Sequence, residues 1–135
     1  MSTEDNIETI RTVYEAFQLG DVPAILDHLA DDVDWAAEAA GTGAPWYGVR
    51  IGKDAVAAFF TAFAEAMEPE EFTPVAYAGN DDGQVMSIVH MKVKARATGK
   101  RAEMDLHHWF QFRDGKIVRY RGTEDSAQTI AALTA

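Results

Sequence analysis

The sequence predicts an α+β domain, in which a curved antiparallel sheet packs against three N-terminal helices and encloses a pocket. Two observations carry this. Apolar residues recur at spacings of three and four through the first half of the chain and at period two along the later runs. Hairpin-type turns then divide the second half into consecutive extended segments. Helices feeding such a sheet must lay their apolar stripes on one face of it, and strong curvature leaves a pocket beneath them.

Taken in order, Ser2 or Thr3 caps a first helix whose apolar positions are Ile7, Ile10, Val13, Tyr14 and Phe17. Gly20 suits the position just past its end. Asp21 starts a short second helix with Val22, Ile25, Leu26 and Leu29 on one face. Residues 31–35 form a short strand. Residues 39–52, with four glycines, Pro45, Trp46 and Tyr47, read as a loop. A third helix carries Val56, Phe59, Phe60, Phe63 and Met67 as its stripe, and Pro69 stops it. Extended runs follow at 72–79, 84–97, 101–113 and 116–123. Asn80-Asp81-Asp82-Gly83, Thr98-Gly99-Lys100 and Asp114-Gly115 separate them, which predicts a curved antiparallel meander. Residues 126–133 form a short terminal helix.

No repeat, low-complexity tract or linker interrupts the 135 residues, so one domain, 1–135, is expected. The chain contains no cysteine, which excludes disulfides and thiolate chemistry. Twelve Lys and Arg against 22 Asp and Glu give a net charge of −10, a field that repels phosphate backbones and anionic membranes. Neither nucleic acid nor membrane is an expected partner. The acidic, amphipathic N-terminus lacks the basic and apolar regions of a secretory signal, and no apolar run spans a bilayer, so a cytoplasmic protein is expected.

Four segments carry a resemblance in order and at familiar spacings: YEAFQLGD at 14–21, LADDVDW at 29–35, GVRIGKDAVAAFF at 48–60 and HWFQFRDGKIVRYR at 108–121. Together they cover almost the whole chain and resemble the SnoaL-like branch of the ketosteroid isomerase-like (nuclear transport factor 2) superfamily. The resemblance implies a cone-shaped α+β barrel. It implies a fold far more than a reaction, since the superfamily holds isomerases, polyketide cyclases, epoxide hydrolases, dehydratases and non-catalytic binding domains.

The candidate chemistry is therefore weighed residue by residue. Met104, Leu106, His108, Phe110 and Phe112 share one strand face, apolar except for His108. A lone imidazole there either satisfies a core hydrogen bond or is a poised acid/base. The resemblance aligns His108 with the position where ketosteroid isomerases carry an oxyanion-hole carboxylic acid, which implies a pocket-lining and catalytic role. His107 then faces solvent or a subunit interface. Asp125 matches the acid/base Asp found after the last strand in SnoaL-like cyclases, and also reads as an ordinary N-cap of the terminal helix. Where isomerases carry their proton-abstracting Asp, this chain has Ala37. Glu38 is adjacent, and serves only if the backbone there is irregular. The isomerase tyrosine aligns with Val13, so Tyr14 reads as a rim or core residue.

Val13, Tyr14, Phe17, Trp35, Trp46, Phe59, Phe63, Leu106, Phe110, Tyr120 and Glu124 are the candidate binding residues. Trp46 in the glycine-rich loop reads as a lid or a dimer contact. Tyr120 and Glu124 share a strand face with Gly122, whose missing side chain leaves room for a ligand. The direction of His90 is open. His107 and His108 diverge on their strand, so no metal site is expected, and no cofactor is implied. The expected function is a cofactor-independent isomerase, cyclase or lyase acting on a small apolar carbonyl compound, with His108 and Asp125 moving the proton. The alternative is a non-catalytic domain that binds a small apolar molecule in the same pocket. Superfamily members usually pair through the outer sheet face, and Trp109 lies on that face, so a homodimer is expected.

Overall fold

The computed structural model describes residues 2–135. It opens with α1 (Thr3–Gln18), which its own sequence caps. Ser2 accepts from the Asp5 backbone N–H while the Asp5 carboxylate accepts from the Ser2 N–H. The chain leaves α1 through Gly20 at φ 70°. Asp21 then caps α2 (Val22–Leu26) by accepting from Ala24 N at 3.2 Å.

Several boundaries differ from the sequence expectation, and β4 stops at Ala95 rather than at residue 97. β1 (Leu29–Ala37) is longer at both ends, and Leu29 is its first residue rather than the last apolar position of α2. Within the expected loop, residues 48–51 form a strand, β2 (Gly48–Ile51). Pairing makes it one: Ala37 to Asp34 lie antiparallel against Gly48 to Ile51. Next, α3 (Lys53–Ala66) starts after Gly52, whose φ of 88° few side chains tolerate. It ends before Met67, which is extended and begins β3 (Met67–Gly79) directly. Pro69 therefore lies inside a strand instead of stopping the helix. Pro69 and Pro74 both flank register shifts in the pairing with the next strand, where a residue without an N–H fits an edge strand.

β4 (Gln84–Ala95), β5 (Arg101–Arg113) and β6 (Lys116–Thr123) complete the meander, and α4 (Ser126–Leu133) ends the chain. The strand order is β2-β1-β6-β5-β4-β3. From β3 to β6 the sheet is the antiparallel meander expected. β1 pairs with β6 in parallel, so the sheet is mixed. β2 and β3 remain edges, so the cone is open and not a closed barrel.

The core lies in the concavity. Val85, Val89, Met91 and Val93 of β4 and Leu106, Phe110 and Phe112 of β5 point inward. Ile10, Val13 and Tyr14 of α1 and Val56, Phe59, Phe60 and Phe63 of α3 cover them. No helix among the described residues is long and apolar enough to cross a membrane.

Candidate active site

Period-two alternation along β5 turns His108 into the concavity, and the sheet register supplies its neighbours. Directly across from it are Ser87 on β4 and Gly122 on β6. Tyr14 reaches the same point from α1. Its hydroxyl lies 2.7 Å from His108 Nδ1 and 2.5 Å from Ser87 Oγ. Tyr14 is thus a buried partner of His108 rather than a rim residue. Val13 and Tyr14 both line the cavity, and it is the Tyr14 hydroxyl that reaches the β4–β5 pair.

Tyr120, Gly122 and Glu124 follow one another on the inward face of β6 and its continuation. A Cβ on Gly122 would lie 3.2 Å from His108 Cδ2 and would collide with the Tyr120 hydroxyl. The bare glycine is what lets these two polar groups meet. Glu124 is held by three donors: Trp46 Nε1 at 3.3 Å, Tyr47 Oη at 2.9 Å and Thr129 Oγ1 at 2.5 Å. Its backbone N–H donates to Glu38 Oε2 at 2.8 Å. Glu38 has φ 48°, so the backbone at the end of β1 is irregular. That twist aims its carboxylate at the chain after β6, and Glu38 is not part of the cavity wall.

One cavity of about 80 Å3 collects these groups. Val13, Tyr14, Phe17, Trp35, Trp46, Phe59, Phe63, Leu106, His108, Phe110, Tyr120 and Glu124 all line it, with Ala37, Phe60, Phe72 and Met91. Trp35 stacks on Tyr120 with ring centres 4.1 Å apart, and its buried indole N–H has no partner among the described residues. Trp46 is 2% exposed and packs edge-on against Phe63, so it forms wall rather than an exposed lid. Phe17, Phe60, Phe63 and Phe72 also line a surface groove and stand between it and the cavity.

Asp125 is not in the cavity. It is exposed, and its carboxylate accepts from Gln128 N at 3.2 Å and Gln128 Nε2 at 2.8 Å as the N-cap of α4. The alternation that turns Glu124 inward turns Asp125 outward. His90 lies on the outer face, with Nδ1 2.8 Å from Asp105 and Nε2 2.8 Å from Glu103. Sequence reading missed Ser87 and Thr129. Ser87 carried the same signal that singled out His108, a lone polar residue on an apolar strand face (Val85, Val89, Met91, Val93).

Burial and the neighbouring His107 push the His108 imidazole down to about 3, so it is neutral at ordinary pH. Burial raises Tyr14 and Tyr120, so both phenols keep their protons. The cavity therefore offers a neutral imidazole, protonated phenols, an unpartnered indole N–H and one carboxylate within an apolar shell. No group of three or more His, Asp or Glu among the described residues is arranged to hold a metal ion.

A small α+β cone with a few polar groups at the inner face of its sheet defines a general class of pocket-bearing domain. The chain belongs to the SnoaL-like domain family, whose model matches residues 10–120. It resembles a nuclear transport factor 2-like protein of unknown function from Burkholderia pseudomallei, 28% identical over 100% of both chains, with a TM-score of 0.89. TerC, solved with polyporic acid, is 22% identical over 97% of this chain and 99% of its own, with a TM-score of 0.84. A provisionally named polyketide cyclase from Xanthomonas campestris is 22% identical over 97% of this chain and 98% of its own, with a TM-score of 0.80. The last two likenesses are of fold. No curated protein matches the sequence.

Proposed function

We propose that this SnoaL-like domain is a cofactor-independent acid/base enzyme of isomerase, cyclase or lyase type, acting on a small apolar carbonyl compound. The observation that carries this reading is that His108 and Tyr120 stand beside the bare Gly122 in a largely apolar cavity that Glu124 also lines. Taking a proton from the carbon beside a carbonyl places negative charge on the carbonyl oxygen. The chemistry thus needs a proton acceptor and a hydrogen-bond donor at neighbouring points. Glu124 is the only carboxylate among the cavity-lining residues, and takes the role the sequence had offered to Asp125. An apolar shell strengthens both interactions by excluding water. The cavity is smaller than the roughly 150 Å3 void that holds benzene. The substrate is therefore compact, or displaces part of the phenylalanine wall between cavity and groove.

The test is turnover of a panel of small enolisable ketones by wild type, Glu124→Gln and His108→Ala. Loss of either group should lower turnover by about 10²–10⁴-fold. Near-full activity in both variants on a confirmed substrate overturns the mechanism. Binding of panel members with no turnover by wild type establishes instead the non-catalytic binding domain.

A further inference from the structure

The hydroxyl chain Ser87–Tyr14–His108 has a direction, and the direction sets what His108 can do. Ser87 is buried, and among the described residues the only hydrogen-bond partner of its hydroxyl is Tyr14 Oη. Tyr14 Oη has two partners, Ser87 Oγ and His108 Nδ1. Both hydroxyl protons find acceptors in only one arrangement: Ser87 donates to Tyr14, and Tyr14 donates to His108 Nδ1. Each alternative, in which Nδ1 carries the hydrogen, leaves a hydroxyl proton without an acceptor in the wall. An orphaned buried donor of that kind disfavours its arrangement by roughly 10- to 100-fold.

We propose that the Tyr14 hydroxyl, itself accepting from Ser87, holds His108 in the Nε2–H tautomer, so that the imidazole meets the ligand as a hydrogen-bond donor and not as a base. Nε2 has no protein partner among the described residues, and the adjoining Cδ2 lies beside Gly122 in the cavity wall. The group it takes is an acceptor oxygen. Within the proposed reaction, on which this assignment rests, that oxygen is the substrate carbonyl. The proton from carbon passes to Glu124, whose carboxylate becomes a carboxylic acid and returns the proton to a second carbon. His108 keeps its own hydrogen throughout. Tyr14 acts here through His108 and is a positioning residue. A neutral imidazole pre-set as donor suits a developing oxyanion, because it needs no proton transfer of its own.

The experiment reads tautomers directly, by long-range ¹H–¹⁵N correlation on unliganded protein labelled in its histidine rings, with His108→Gln identifying the His108 signals among the four histidines. Wild type should show His108 with hydrogen on Nε2 alone. Tyr14→Phe should give a mixture of the two neutral tautomers, whereas Ser87→Ala, in which the Tyr14 proton still has only Nδ1 to donate to, should keep the wild-type pattern. Hydrogen on Nδ1 in wild type, or an unchanged single tautomer in Tyr14→Phe, overturns the proposal. The spectra need no substrate. If no ketone is turned over while the tautomer pattern is as expected, the proposed activity fails and the donor assignment stands.

Discussion

His108 links the site to the stability of the fold. Its folded-state pKa of about 3 lies below the ordinary value of 6.5, so the folded protein binds fewer protons than the unfolded chain between those limits. Stability is whole above pH 6.5 and falls as the pH drops toward 3, because the unfolded imidazole gains a proton the folded one resists. From pH 6.5 to 5 the loss from this residue alone is about 2 kcal/mol. Denaturant melts of wild type and His108→Gln across this range should show a steeper acid loss in wild type, and parallel curves would refute the buried neutral imidazole. The same neutrality means that the rate of an active enzyme should not fall near pH 6 through protonation of His108. Gly122 gives a second residue-scale test. In Gly122→Ala the new methyl meets the Tyr120 hydroxyl and crowds His108. Ligand affinity should drop at least tenfold while the fold is retained. Unchanged binding by titration would show that the ligand lies elsewhere.

Among the elements, α1 and β4 show how local pattern and packing divide the work. The capping box of α1 rests on Ser2, and Ser2→Ala should cost about 1 kcal/mol, measurable as a lower thermal midpoint. On β4 the outward residue His90 is half-buried between Asp105 and Glu103, and hydrogen bonds to them raise its pKa above 6.5. The sign is opposite to that of His108. His90 stabilises fully below 6.5, and the contribution fades as pH rises through the raised value. His90→Gln should therefore lose more stability at pH 5.5 than at pH 9, and an equal loss at both would place its role in packing. The inward β4 residue Ser87 was legible in principle. The inward positions around it, Val85, Val89, Met91 and Val93, are apolar, but the outward Met86 and Ile88 are apolar too, and a serine offers no titratable signal to draw attention to it.

For the whole molecule, the open cone leaves a convex face that carries Met86, Ile88 and Trp109. Met86 and Ile88 are 38% and 36% exposed, and Trp109 is only partly covered, with the Arg119 guanidinium 5.9 Å from its ring. We propose that two copies pair through this face, which removes that apolar surface from water. Light scattering at micromolar concentration should give twice the chain mass, with Trp109→Glu giving a monomer. A monomeric wild type would end this reading. The cavity lies on the opposite face of the sheet, so Trp109→Glu should leave ligand binding in place.

The sequence alone determined the helices, the four meander runs, the inward direction of His108 and the aromatic lining around it. These depend on periodicity within single elements, and a residue's phase on its own helix or strand is a local property. Only the tertiary structure decided that residues 48–51 form an edge strand, that β1 joins β6 in parallel and that Asp125 caps α4 outside the cavity. It alone joined Tyr14 and Ser87 to His108, although 94 and 73 residues separate the members of the two hydrogen bonds. Strand pairing and the direction of a hydroxyl chain depend on which distant backbone lies alongside and which acceptor stands within about 3 Å, and no periodicity along a single chain encodes that.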